Sequence, residues 1–191
     1  MKDQFLKAYK ENITRPGADK LLKWLESSDF FNAPASTRFH LAEPGGLCKH
    51  SVHVYERLRR LVNGEPQVQK ALGENADESV AIVGLLHDVC KVNFYSVEMR
   101  NRKNDSGMWE RYPFYVVNDK LPYGHGEKSV YIISGFISLT RQESMAIRWH
   151  MGAWQDGEKQ NAGAAFGQYP FAVLAHLADM QATYLDENNK A

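Results

Sequence analysis

The chain has 191 residues, and its 23 Lys and Arg side chains balance its 23 Asp and Glu side chains. The length predicts one domain with enough residues to bury a sizeable core, and the balanced charge argues against an overall field that attracts nucleic acid or anionic membranes. Charged residues stand where a signal peptide needs an apolar run, and no stretch is apolar enough to cross a bilayer. Because Cys48 and Cys90 both lie in helical patterns, we expect a cytoplasmic protein, although a disulfide between them stays open.

Apolar periodicity predicts a mainly α-helical fold. Amphipathic helices are predicted over residues 2–12 and 17–28, and an irregular stretch with prolines and glycines follows them. We assign residues 1–44 to an N-terminal helical extension packed on the core, and residues 45–187 to the main domain. That domain opens with a helix over about 47–62, and a short helix is predicted after it.

The most apolar helix is predicted over residues 77–91. Two stretches rich in aromatic and β-branched residues follow it, and an Asn-Asp-Ser-Gly turn sequence at 104–107 separates them. This pattern predicts one β-hairpin, inserted into the helical fold at about 93–118.

Helical patterns return over residues 125–137 and again from Thr140, where Glu143 has the spacing of a capping box. Glycine and alanine dominate residues 152–167, which we predict to be a loop. A last helix is predicted over residues 169–187.

Five short segments place histidine or aspartate inside these helical surroundings. Imidazoles and carboxylates are ligands that divalent first-row metals prefer, and a carboxylate can bridge two ions. If these side chains converge, we expect a metal-dependent enzyme. The candidate ligands are His50, His87, Asp88, His125, His150 and Asp179.

His87 and Asp88 carry the strongest physical argument, because they end an almost wholly apolar helix. An ionised aspartate there needs a partner, which a metal ion would supply; the alternative is that the helix simply reaches solvent. His50 lies at the edge of an apolar helix stripe, where a buried, hydrogen-bonded histidine is the alternative. His53 points further round the same helix and is expected at the surface or beside a ligand.

Asp179 and His176 are three residues apart and share one helix face. The small residues on that face suit a wall packed against a site, and the alternative for Asp179 is an ordinary cap or ion pair. His176 is expected to orient a neighbour rather than to bind metal. His125 lies between two glycines and His150 near a helix end, so each is a weak signal by itself.

These segments, in this order, resemble the HD-domain superfamily of metal-dependent phosphohydrolases over residues 45–187. The element Leu-Leu-His-Asp-x-x-Lys, which ends in Lys91, is the most recognisable. Gly-Gly-Leu-x-x-His precedes it, and Gly-His-Gly-Glu-Lys-Ser, a lone histidine and His-x-x-Asp follow it. The resemblance implies an HD-domain helical bundle that holds one or two divalent transition-metal ions. Mn, Fe, Co, Ni or Zn suit such ligands, and Mg is possible.

Carried over residue by residue, the resemblance implies a first metal site formed by His50, His87, Asp88 and Asp179. It implies that Asp88 also bridges to a second metal, whose other ligands are His125 and His150. Members with two metals often carry a further histidine directly after the last of these positions, where this chain has Met151. The second metal site is therefore expected to be weaker or to keep more water. Asp88 would lie at the centre of catalysis, between two ions that activate a water.

Lys91 lies one helical turn after His87, so we expect it to act in catalysis by holding the phosphate of the substrate. A solvated lysine at a helix end is the alternative. Lys128 is a second candidate for binding that phosphate, and Glu127 is a candidate for proton transfer or for orienting a neighbour.

The hairpin joins the second and third motifs, so its base is expected near the metals. Its aromatic residues, Tyr95 among them, could stack a nucleobase while basic residues near its tip meet phosphates. A solvated hairpin whose aromatic residues pack on the bundle is an equal alternative. Trp149 is another candidate for stacking the substrate, with a core position as the alternative.

The favoured function is hydrolysis of a phosphomonoester or phosphodiester by a metal-activated water. The expected partner is a small phosphorylated molecule, a nucleotide or short nucleic acid, with nucleic acid present only as substrate. Two alternatives stay open: an HD-type di-iron oxygenase acting on a small polyol or phosphonate, and a non-catalytic module that senses a nucleotide. Iron dependence and oxygen consumption would separate the oxygenase from the hydrolase.

Overall fold

The computed structural model describes residues 1–153 and 156–187. The fold is mainly α-helical with one two-stranded antiparallel sheet, which confirms the predicted fold class at this level. In chain order the helices are α1 (Lys2–Asn12), α2 (Ala18–Ser27), α3 (Gly46–Asn63), α4 (Pro66–Leu72), α5 (Ala76–Leu86), α6 (His125–Ser134), α7 (Arg141–Arg148), α8 (Lys159–Gln168) and α9 (Pro170–Gln181). The strands β1 (Tyr95–Lys103) and β2 (Trp109–Val117) lie between α5 and α6. Within the described ranges, no helix has both the length and the apolar character needed to cross a membrane.

Helix α5 forms the centre of the molecule, with α1, α3 and α7 packed against it. Every residue from Ser79 to Leu86 is buried, as expected for a helix that is apolar on all sides. Helix α9 packs along α3 and α7. Each fully buried leucine or isoleucine contributes about 1.5–3 kcal/mol through its removal from water, so these helices are held firmly together.

The N-terminal segment is part of the same core. Its buried side chains join the hydrophobic cluster that α3 and α5 form, and they include Phe5, Leu21, Leu25 and Phe30. The irregular stretch after α2 reaches the start of α3, where the backbone N–H of Leu47 donates to the carbonyl of Ala33 at 3.0 Å. The segment therefore fixes where α3 begins.

Helix α7 begins with the predicted capping box. The Thr140 hydroxyl accepts from the backbone N–H of Glu143 at 3.2 Å, and the Glu143 carboxylate accepts from the Thr140 N–H at 2.8 Å. The same buried carboxylate accepts from both terminal nitrogens of Arg15 at 2.9 Å and from the Ser79 hydroxyl at 2.6 Å. Glu143 thus caps the N-terminus of α7 and hydrogen-bonds to both the N-terminal segment and α5.

The predicted hairpin is confirmed. Its strands pair from Tyr95 opposite Val117 to Lys103 opposite Trp109. The Asn104 side chain accepts two backbone N–H groups of the connecting turn, a local contact that favours turns. Most of the hairpin is exposed, but Tyr95 at its base is half-buried against the helices. The hairpin therefore projects from the bundle near the end of α5.

Two predicted helices are shorter than expected. The helix predicted over 77–91 ends at Leu86, and His87 and Asp88 lie in the turn that follows it. A 3₁₀ turn, Val89–Lys91, completes the segment. The helix predicted over 125–137 ends at Ser134, one residue before a glycine. The apolar pattern of the sequence continues past the ends of both helices because the turns that follow them also pack on the core.

The loop predicted over 152–167 is wrong for its second half, which forms α8. Alanine has the highest helix propensity, and Gly163 and Gly167 face open space, so neither disturbs the packing of that helix. Residues 154 and 155 lie outside the described residues. The helix predicted over 169–187 is α9, followed by a π-helical turn at Ala182–Asp186.

Candidate metal centre

Five helices bring the six candidate ligands to one place at the C-terminal end of α5. His50 comes from the first half of α3, and His87 and Asp88 directly follow α5. Asp179 comes from α9, while the other two ligands, His125 and His150, begin α6 and follow α7. All are buried except the His125 side chain, which is 36% exposed. We call this group of six residues the metal centre.

One half of the metal centre surrounds the Oδ2 atom of Asp88. His50 Nε2 lies 3.2 Å from His87 Nε2 and 3.1 Å from Asp179 Oδ1. Asp88 Oδ2 lies 3.7 Å from each of those two imidazole nitrogens. Metal–nitrogen bonds of about 2.0–2.1 Å put neighbouring ligand atoms of one ion roughly 3.0–3.4 Å apart. The spacing of these four atoms is therefore close to that of a metal site.

The other half surrounds the second oxygen of the same carboxylate. Asp88 Oδ1 lies 2.8 Å from His125 Nε2 and 3.5 Å from His150 Nε2, and the two imidazole nitrogens are 3.2 Å apart. Each oxygen of Asp88 thus faces its own pair of imidazoles. This arrangement suits a carboxylate that bridges two ions.

The hydrogen bonds at the far side of each ring indicate which nitrogen carries the proton. His87 Nδ1 donates to the Gly84 carbonyl at 3.0 Å, and His150 Nδ1 donates to the Ile147 carbonyl at 2.6 Å. Their Nε2 atoms are then lone-pair acceptors that point toward the Asp88 carboxylate and the imidazoles of His50 and His125. A cation between them satisfies all of these lone pairs, so the residues present fit a metal ion.

Glycines let the helices that carry these ligands approach closely. A Cβ atom at Gly84 would lie 2.5 Å from the Tyr55 Cα atom, so α5 and α3 could not meet with any other residue there. A Cβ atom at Gly126 would lie 2.2 Å from the Arg148 carbonyl oxygen. The first contact brings His87 to α3, and the second brings α6 to the end of α7. Both halves of the metal centre therefore depend on a glycine.

The charges of the cluster set the protonation of its members. Burial opposes a charge on His50, but hydrogen bonds to Asp179 and Glu187 outweigh it and raise the pKa of His50 to about 10. Burial lowers the pKa of His87 to about 3. Burial alone would raise the pKa of Asp88, but the Lys91 charge and the nearby imidazoles hold it well below its usual range. Asp88 is therefore an anion at neutral pH.

The carboxylate of Glu187 also belongs to this site, and the sequence interpretation missed it. It is fully buried, and it accepts from His50 Nδ1 at 3.1 Å and from His53 Nδ1 at 2.8 Å. Glu187 follows Asp179 by eight residues, about two helical turns, and this spacing is a signal that could have found it. Its role is to hold the His50 ring with Nε2 toward the metal centre, as partners of ligands do.

Three other histidines lie around the metal centre. His53 contacts Glu187 and is half-buried, in keeping with a residue beside a ligand. His176 Nδ1 donates to the backbone carbonyl of His150 at 2.7 Å, so it orients a neighbour as predicted. His40, to which the sequence assigned no role, lies against His50 with tilted rings whose centroids are 4.8 Å apart. Burial lowers the pKa of His40 to about 4, so this ring is neutral.

Lys91 lies at the edge of the metal centre. Its ammonium group donates to Asp88 Oδ2 at 2.6 Å, and the Asp88 charge raises the pKa of Lys91 against the effect of burial. The Tyr95 hydroxyl donates to the Ala35 carbonyl at 3.4 Å. Burial raises the pKa of Tyr95 to about 12, and the charge of Lys91 partly opposes this rise. The base of the hairpin therefore borders the same site.

Two predicted substrate contacts have other partners in this structure. The Lys128 ammonium group is buried in an ion pair with Asp119 and lies 4.7 Å from the centre of the Phe94 ring. Trp149 is only 6% exposed and packs with alanines of α8, so it offers no open ring face for stacking. We correct its predicted role to a core position. Glu127 forms an ion pair with Arg148, which places it beside α7.

No family model, curated protein or solved structure matches this chain. What the protein does must therefore follow from its own side chains. Those side chains are six candidate metal ligands that lie close together and a lysine. One of the six is the Asp88 carboxylate, whose two oxygens each face imidazole nitrogens and which the lysine contacts.

Proposed function

We propose that this chain is an HD-domain phosphohydrolase that holds two divalent transition-metal ions. The observation that carries the proposal is the placement of Asp88, whose two oxygens each face a separate pair of imidazole nitrogens. The proposed substrate is a phosphomonoester or phosphodiester, and the proposed compartment is the cytoplasm, where the buried thiols of Cys48 and Cys90 stay reduced.

The donor set divides between the two ions. One ion would be held by His50, His87, Asp179 and Oδ2 of Asp88. The other would be held by His125, His150 and Oδ1 of Asp88, a set of three protein donors that leaves positions for water or substrate. When bound, such ions lower the pKa of water and stabilise charge on phosphoryl oxygens. Nitrogen and carboxylate ligands suit Mn, Fe, Co, Ni or Zn.

The side chains of this protein supply orientation and charge. Glu187 fixes the ring of His50, and the carbonyls of Gly84 and Ile147 fix those of His87 and His150. Lys91 brings a permanent positive charge to the edge of the site, where it can donate to a phosphate oxygen. The more exposed His125 marks the side from which substrate reaches the centre.

Phosphate release from nucleotides, cyclic nucleotides and short oligonucleotides tests the proposal. The protein is stripped of metal, reloaded separately with Mn, Fe(II), Co, Ni, Zn and Mg, and run beside Asp88→Ala. We expect turnover that requires metal and is lost in the variant. Oxygen uptake with Fe(II) and no phosphate release would instead establish the oxygenase, and nucleotide binding without any turnover would establish the sensing module.

Lys91→Ala separates a phosphate-binding lysine from a structural one. A hydrogen bond to a charged group is worth about 1.5–3 kcal/mol, so we expect kcat/KM to fall roughly 10- to 100-fold with the metal content unchanged. Lys49→Ala is the matched control, because Lys49 forms a partly exposed ion pair with Glu43. Loss of metal from Lys91→Ala would make the lysine a structural part of the centre.

A further inference from the structure

An open cleft of about 390 Å³ lies between the hairpin and the loop that precedes α3. Arg38 and Phe39 line it from the loop, and Arg100 and Phe114 line it from the hairpin. The Phe39 ring is 77% exposed, and with Phe114 it gives the cleft an aromatic lining. The function proposed above does not use this cleft.

Arginines lie flat over aromatic rings along this surface. Arg100 lies 3.8 Å from the centre of the Phe114 ring, and Arg102 lies 4.8 Å from that of Tyr112. The strand register places all four residues on one face of the hairpin. On the loop side of the cleft, Arg38 lies 5.2 Å from the centre of the neighbouring Phe39 ring. One face of the hairpin therefore alternates rings and guanidinium planes; we call it, together with the cleft, the Arg–aromatic surface.

The acidic residues on this face do not cancel its charge. Glu98 lies 3.8 Å from Arg100, and Glu110 lies 2.6 Å from Arg102. Both ion pairs are exposed, and exposed ion pairs are weak, so a phosphate can take the place of either carboxylate. This face of the hairpin and the lining of the cleft carry three basic residues, Arg38, Arg100 and Arg102, against two acidic ones, Glu98 and Glu110.

The Arg–aromatic surface leads to the metal centre at its near end. Phe39 precedes His40, whose ring contacts His50, and the hairpin begins at Tyr95, close to Lys91. Arg100 is five residues further along β1, which is about 16 Å at the rise of a strand. A mononucleotide with its phosphate at the metal centre does not reach that far. Only a ligand with several linked units contacts both ends.

We propose that the Arg–aromatic surface binds single-stranded nucleic acid and guides its end to the metal centre. Unpaired bases stack on aromatic rings and on guanidinium planes, whereas the bases of a duplex are covered by their neighbours. The arginines meet the phosphates between the stacked bases. The inference rests on the proposed function, because hydrolysis at the metal centre would act on the end of the bound strand. It makes an oligonucleotide, not a mononucleotide, the preferred substrate.

Fluorescence anisotropy with labelled dT12 and rU12 tests binding apart from turnover, because the protein is kept metal-free with a chelator. We expect binding that weakens as salt rises, and a loss of affinity of about tenfold or more in the double variant Arg100→Ala/Phe114→Ala. Arg59→Ala is the matched control, since Arg59 also lies over a ring, that of Tyr55, on another surface. Circular dichroism checks that each variant is folded.

Arg100→Lys separates stacking from charge. Lysine keeps the positive charge but has no planar group to stack, so we expect an affinity between those of the wild type and the alanine variant. Full affinity in Arg100→Lys would overturn the stacking role. Equal binding of dT12 by wild type and the double variant, equal binding of duplex and single strand, or retention by anionic lipid vesicles without oligonucleotide binding would overturn the inference.

Steady-state kinetics with the metal-loaded protein then test whether the Arg–aromatic surface contributes to the reaction. We expect the double variant to raise KM for an oligonucleotide about tenfold while its KM for a mononucleotide is unchanged. Equal KM increases for both substrates would overturn the guiding role. If no substrate turns over but oligonucleotide binding still depends on Arg100, the proposed hydrolase fails and the nucleic-acid-binding surface is supported.

Discussion

Two clusters of buried polar side chains lie at opposite ends of α5, and they are built on different principles. At the N-terminal end, Arg15 donates to both oxygens of Glu143 at 2.9 Å and to Glu78 at 3.1 Å. The Ser79 hydroxyl donates to Glu143 as well. In this Arg15 cluster the arginine and serine donors face carboxylate acceptors, so the protein itself supplies both partners of each contact.

The metal centre at the C-terminal end of the same helix is the reverse case. His87 Nε2 faces His50 Nε2, and His125 Nε2 faces His150 Nε2, each pair at 3.2 Å. Because carbonyls accept from Nδ1 of His87 and His150, the Nε2 atoms of these two rings carry lone pairs that point into the cluster. This end of α5 therefore gathers imidazole and carboxylate atoms that could hold a metal ion, whereas the Arg15 cluster pairs an arginine with carboxylates.

Asp88→Asn is expected to have the largest effect, because it removes the charge that both halves of the metal centre share. Metal ions contribute several kcal/mol to phosphoryl transfer, so we expect turnover to fall at least about a thousandfold and bound metal to decrease. Metal analysis by mass spectrometry and phosphate release measure the two effects. Asp77→Asn, at an exposed position of α5, is the matched control. Full activity in Asp88→Asn would refute the two-metal assignment.

Glu143→Gln breaks the Arg15 cluster instead. Removing one partner of a buried ion pair typically costs about 3–5 kcal/mol, so we expect a loss of that order in the free energy of unfolding. The metal content of the folded variant should be unchanged, because the cluster lies at the other end of α5. Denaturant titration measures the first quantity. Glu11→Gln, in an exposed pair with Lys7, should change stability by less than about 1 kcal/mol, and an equal loss there would contradict the comparison.

The two clusters also differ in how much of each can be predicted from the sequence. The capping box joins Thr140 to Glu143, only three positions further along the chain, and this local contact was predicted. The pairing of Glu143 with Arg15 spans 128 positions, and no local pattern encodes it. The candidate ligands were found because each lies in a short segment of a recognisable type, and the helices bring those segments together.

Other parts of the site were missed for physical reasons. Glu187 directly follows the π-helical turn that extends α9, so α-helical periodicity predicts its direction only approximately. Trp149 was a candidate for stacking the substrate, with a core position as the alternative, and the alanines of α8 now cover it. Because residues 152–167 were predicted to be a loop, the sequence offered no helix that could cover this ring.

Glu187→Gln sharpens the comparison at the metal centre. Changing a residue that orients a metal ligand commonly lowers metal affinity 10- to 100-fold, and we expect a decrease of that order, about 1.4–2.8 kcal/mol. Competition with a chelator of known affinity measures it. Asp186→Asn is the control. Asp186 ends the π-helical turn directly before Glu187 and pairs with Arg57 of α3 without contacting a candidate ligand. The same loss in both variants would mean that the turn acts as a structural clamp only.

The smallest effect concerns the pH dependence of the Arg15 cluster. Burial alone would raise the pKa of Glu78, but the N–H groups of Thr14 and Arg15 and the Arg15 charge outweigh it, so the pKa is lowered. A carboxyl with a lowered pKa stabilises the fold above its unfolded pKa of about 4.3, and this contribution is lost as pH falls through the folded value. We expect Glu78→Gln to cost about 1 kcal/mol at pH 7 and to lose less further stability than the wild type between about pH 5 and 3. Denaturant titrations of the metal-free protein across that range measure both. Parallel pH profiles for the two proteins would mean that Glu78 does not couple proton binding to folding.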